Sequence, residues 1–90
     1  MTLCKLQEYI KNENINLKDI RIILGKKLNI TNAEGIYEDD NGTWHLYECG
    51  ERSDVTDILS GSEEEVVEEI YSCINSRNKA VKKHGKSIFG

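Results

Sequence analysis

His45 and Cys49 are the residues in this chain whose types most suggest chemistry. An imidazole and a thiol lie within GIYEDDNGTWHLYECGERS, Gly35–Ser53, a stretch that also holds the only Trp, Arg52 and five acidic residues. Such a pair can make an activated nucleophile or, with further ligands, part of a zinc site. Spacing argues against both. The stretch alternates as a strand does, so His45 and Cys49 share a face but stand about 13 Å apart at ~3.3 Å per residue. A dyad or a shared metal needs far closer approach. The chain has no CxxC, HExxH, GxSxG or phosphate-cradling glycine loop. EDDNG lacks the DxDxDG order of a calcium loop and reads as a turn. The expectation is therefore no catalytic residue, no metal ligand, no cofactor and no enzymatic activity.

Acidity is what sets this stretch apart. Residues 1–33 carry six Lys or Arg against three acids, residues 34–69 carry thirteen acids against Arg52 alone, and residues 70–90 carry five Lys or Arg and no acid. Glu38, Asp39, Asp40, Glu48, Glu51, Asp54 and Asp57 gather around one hairpin and the strand after it. A solvated rim that keeps a small sheet soluble is the plain explanation. Yet like charges at this density repel, and a basic partner relieves the repulsion. These seven acids are the candidate binding surface, with Tyr47 and Arg52 as candidate anchors and Trp44 and Leu46 assigned to the core. The basic ends could contact nucleic acid through SRNKAVKKHGK. That segment has no interleaved aromatics, and the acidic block beside it repels phosphates. Its cations are expected to complement the acidic sheet or cap the last helix.

The elements that hold these residues follow from periodicity. Leu3, Leu6 and Ile10 have helical spacing behind a Thr2 cap, and NENIN ends that helix. DIRIILGKKL, residues 19–28, fits a strand through Ile20, Ile22 and Leu24 and a helix through Leu17, Ile20, Leu24 and Leu28. Its β-branched run and Gly25 favour the strand. Asn41-Gly42 supplies a hairpin, with a two-residue loop or a three-residue loop bulged at Gly42. Trp44 and Leu46 then share one face, and His45, Tyr47 and Cys49 the other. SDVTDIL makes the next strand, with Val55, Asp57 and Leu59 on one side, and Gly61 breaks it. Ser62 and Glu65 form a capping box that opens a helix with apolar positions at Val66, Val67, Ile70 and Cys73 or Ile74. A break near Asn75 and a stop at Gly85 are expected. The fold class is α+β: a single domain over 1–90, with an antiparallel meander of three or four strands and a helix from each end packed on one face.

Three cysteines without a CxxC pair point to free thiols and a reducing cytoplasm. No apolar run reaches the roughly 18 residues of a membrane span, and the opening residues lack the order of a signal peptide.

Across residues 35–74 the arrangement resembles the small immunity proteins of bacterial polymorphic toxin and contact-dependent inhibition systems. Several of those families carry a hairpin with an N-G or D-G turn, then Trp and Tyr, then an E-R-G-like element, a strand and a Glu-rich capped helix. Here the matching residues are Asn41, Gly42, Trp44, Tyr47, Glu51 and Arg52, with Ser53 in place of the glycine. The resemblance implies a cytoplasmic, non-catalytic protein that binds and neutralises one cognate toxin domain. Such toxins are often nucleases with basic surfaces, which the acidic block would match without direct contact to nucleic acid or membrane. A non-catalytic binding module or subunit of a larger assembly is the alternative.

Overall fold

The computed structural model describes residues 1–52 and 54–84; Ser53 and the expected stop at Gly85 lie outside them. The elements are α1 (Leu3–Asn12), α2 (Leu17–Ile20), β1 (Ile22–Leu24), β2 (Glu34–Glu38), β3 (Trp44–Cys49), β4 (Val55–Gly61) and α3 (Glu63–His84). They build an α+β fold around one four-stranded sheet of order β1-β2-β3-β4.

Local chemistry sets the boundaries. The Thr2 side chain accepts from Lys5 N at 3.3 Å and caps α1. Asn16 does the same for α2, accepting from Lys18 N and Asp19 N. The asparagines that end α1 therefore also start the next helical turn. Arg21 closes that turn in the left-handed region (φ 52). The expected strand over 19–28 is thus split, with a helical turn before Arg21 and a three-residue strand after it. Ser62 caps α3 by accepting from Glu65 N, while its hydroxyl donates to Glu65 Oε1. α3 runs unbroken past Asn75, contrary to the expected break.

Strands β2, β3 and β4 form the expected antiparallel meander, but β1 pairs with β2 in parallel. The sheet is mixed because residues 25–33 cross over and enter β2 in the direction of β1. Parallel neighbours generally need a connection of about a dozen residues or more, commonly helical. This one is shorter, and side chains rather than a helix hold it down. Tyr47 Oη donates to Lys26 O (2.7 Å) and accepts from Leu28 N (3.1 Å), Cys49 Sγ donates to Leu28 O, and Arg21 Nη1 donates to Thr31 O.

The crossing gives the sheet a core on each face. On the helix side Leu6, Ile10, Ile20, Ile22, Ile36, Leu46, Val66, Val67, Ile70 and Ile74 pack together, with Trp44 against them. On the other side Ile23, Ala33, Tyr47 and Cys49 pack under the crossing. Gly35 makes this second core feasible. A Cβ there would lie 2.6 Å from Tyr47 Oη and 2.7 Å from Ile23 O, so only glycine lets the tyrosine ring lie across the strand.

A β-bulge corrects one expectation. Leu46 pairs with Leu59 but Tyr47 pairs with Asp57, which leaves Ile58 as the extra residue. Val55 therefore packs on the Tyr47 side while Leu59 turns to the helix side, and strict alternation along β4 fails.

Candidate functional site

The β2–β3 hairpin is closed by a three-residue loop. Asp39 N donates to Thr43 O, Gly42 N donates to Asp39 O, and Gly42 takes φ +82. Asn41 and Gly42 thus realise the bulged alternative. Asp39 Oδ1 accepts from both Asn41 N (2.9 Å) and Thr43 N (3.0 Å), which holds the loop from inside.

The other Asp39 oxygen meets His45 Nε2 at 2.7 Å, and His45 Nδ1 lies 2.8 Å from Ser60 Oγ on β4. The hydrogen bond from His45, followed by those from the backbone, holds the Asp39 carboxyl below its ordinary range. Tyr37 stacks on the imidazole at 4.9 Å and 21°. Carboxylate, imidazole and hydroxyl in this order form a nucleophile-type relay. A relay also needs a site for the reacting carbonyl, and the apolar groove beside β1 touches none of the three residues. Here the series links the hairpin loop through β3 to β4. Sequence reasoning tested His45 against Cys49 and missed Asp39 and Ser60. Cross-strand register sets Ser60 opposite His45, and the hairpin loop turns Asp39 back onto the imidazole.

The nine expected contact residues do not form one face. Tyr47, expected as an anchor, is 0% exposed and is a core residue fastened to the crossing, so it is withdrawn from the surface. Asp57 lies on the crossing side, where it accepts from Tyr37 Oη and pairs with Lys27 at 3.7 Å. Glu51, Arg52 and Asp54 are exposed in the β3–β4 turn, at the end of the sheet away from the β2–β3 hairpin. Glu48 is exposed on β3 beside Glu34. Glu38, Asp39 and Asp40 remain together at the hairpin.

At that same end the structure adds a second set of acids. Gly61, Trp44 and Glu38 lie in one row across the sheet, so α3 starts beside the hairpin loop. Its exposed Glu64 and Glu65 therefore lie at the same pole of the molecule as exposed Glu38 and Asp40, while Glu68 pairs with the Met1 ammonium at 3.3 Å. Glu63 is occupied, accepting from Leu3 N at 3.0 Å. The return of β4 to the hairpin end brings the two acidic runs to one end of the sheet.

Arg77 shows where a cation of the basic end goes. Its guanidinium donates to Ile20 O (2.9 Å), Asn32 O (3.3 Å) and Glu34 Oε1 (2.7 Å), tying α3 to the end of α2 and to the entry of β2. Cys73 lies next to this pair, and burial followed by its hydrogen bond with Glu34 pushes the thiol up to about 12. The three cysteines are free, as expected, with Cys4 exposed and Cys49 buried. Among the described residues no group of His, Cys, Asp or Glu is arranged to hold a metal ion, and no helix is long and apolar enough to cross a membrane.

No family model matches this chain, and no similar curated protein or solved structure is found.

Proposed function

We propose that this protein is a non-catalytic inhibitor of the immunity type, acting in the cytoplasm on one cognate toxin domain with a basic surface, such as a nuclease. The observation that carries the proposal is the acidic pole, where exposed Glu38 and Asp40 of the hairpin lie at the same end of the sheet as exposed Glu64 and Glu65 of α3. Exposed carboxylates at one end of a small domain raise the local negative potential, which a basic partner surface neutralises. On a nuclease the complementary surface is the one that receives phosphates, so a carboxylate pole competes for the same cations. Its field would accelerate encounter, and the supported loop would present the charges without reordering. Trp44, half-buried in the row next to the loop, offers apolar area at the edge of the pole.

Affinity capture from source cells tests the proposal. The wild-type chain should retain a basic protein that elutes with salt and whose toxicity the chain suppresses on co-expression. The triple variant Glu38→Lys, Asp40→Lys, Glu64→Lys should fold but capture none of it. Retention of the same protein by both baits would refute the role of the pole. A captured partner with no toxicity would instead make the chain a subunit of an assembly.

A further inference from the structure

The sheet has two open edges, β1 and β4, and they differ in kind. β4 carries the bulge at Ile58 and the acid Asp57, both of which blunt an edge against another strand. β1 has neither. Beside it runs a groove of about 530 Å³ that touches Ile22, Ile23 and Leu24 in succession. Successive strand residues alternate between faces, so a groove reached by all three follows the strand's edge. Arg21 O and Gly25 N bond to Glu34 N and Ile36 O of β2. By the alternation of a parallel ladder, the N–H and C=O groups of Ile22 and Leu24 point the other way, into the groove.

Its walls are the two cores carried outward. Leu17 lies on the helix side, and Leu28 and Ile30 lie on the crossing side, 37% and 40% exposed. Lys18, Arg21 and Lys26 also line the groove, and no acid does, in a chain whose net charge is −4. This charge argues against symmetric pairing of β1 with the β1 of a second copy, because the two cationic rims would meet. The bulge argues against β4 of another copy. A complementary occupant is extended, apolar on alternate residues and acidic between them.

We propose that the β1 edge is a docking groove for an extended acidic and apolar segment of another protein, which adds a fifth strand beside Ile22–Leu24. Its backbone completes the ladder, its apolar side chains divide between the two walls, and its carboxylates meet Lys18 and Lys26. This site is separate from the acidic pole, has the opposite charge and does not depend on the inhibitor reading.

A short acetylated peptide alternating valine and glutamate is the probe, titrated into the isotope-labelled full chain and followed by NMR. The expected result is shifts at Ile22, Leu24 and Leu28 and slowed amide exchange at Ile22 and Leu24. The lysine-for-glutamate peptide should give no shifts, and N-methylation of the ladder-facing residues should abolish binding. Lys18→Glu with Lys26→Glu should weaken the acidic peptide by about tenfold. The proposal is overturned if millimolar acidic peptide leaves the groove unshifted, if the lysine peptide binds equally, or if the shifts map to β4. Laurate shifting the groove where the peptide does not would make it a lipid site. Groove shifts that track protein concentration without peptide would make it a self-contact. Either result also overturns the proposal.

Discussion

Asp39 shows how one acid in a charged run can be committed inward while its neighbours face solvent. Its lowered pKa stems first from the His45 hydrogen bond and then from the loop N–H groups. The sign of the stability effect follows. A depressed folded pKa contributes stability above the unfolded value of about 3.9, and that contribution is lost as pH falls through the lower folded value. Asp39→Asn should therefore be less stable than wild type at neutral pH and show a shallower acid limb from about pH 5 downward. Urea midpoints measured across that range check both. The thiols give a second test at this scale. Burial and Glu34 hold the Cys73 thiol protonated up to about 12, and Cys49 is buried with its hydrogen donated to Leu28 O. Iodoacetamide at mildly alkaline pH should therefore modify Cys4 in the native chain and all three cysteines after denaturation, as read by mass spectrometry.

Among the elements, the crossing over residues 25–33 is the part least expected and most dependent on single residues. Gly35→Ala places a methyl group against the Tyr47 ring and the Ile23 carbonyl. It should cost about 1–3 kcal/mol in urea unfolding. Amide protection at Leu28 should fall first, because Tyr47 Oη must leave its place. Arg77→Met should cost about 2–3 kcal/mol, because it leaves Glu34 and three carbonyls without their cationic donor. Equal stability with methionine would show that α3 is held by its apolar face alone. These elements also show what was legible in the sequence. The capped helices, the Asn41-Gly42 hairpin and the meander follow from short-range signals such as caps, a left-handed turn residue and alternation, all visible along the chain. The parallel β1, the bulge at Ile58 and the Arg77 clamp depend on contacts between distant segments, for which periodicity carries no information. Tyr47 was misplaced for that reason. Its face was read correctly, but nothing in the local pattern tells that residues 25–33 return to cover it.

For the whole molecule, the described residues turn the charge blocks of the chain into an acidic pole and a cation-lined groove. The ends of β2 and β4 bring the hairpin acids beside the first turns of α3, while Glu51 and Asp54 go to the opposite end. That distribution divides the seven acids expected to act together and adds Glu64 and Glu65 from the helix. It also separates the acidic pole from the cation-lined β1 edge, so one small domain offers two surfaces of opposite charge. The measurement that tests the acidic pole most directly is the association rate constant with the captured basic partner as a function of ionic strength. Wild type should associate rapidly at low salt and slow steeply as salt rises, while the Glu38→Lys, Asp40→Lys, Glu64→Lys variant should associate at least about tenfold more slowly, with a nearly flat salt dependence. Equal rates for the two proteins, with the same salt dependence, would contradict the account.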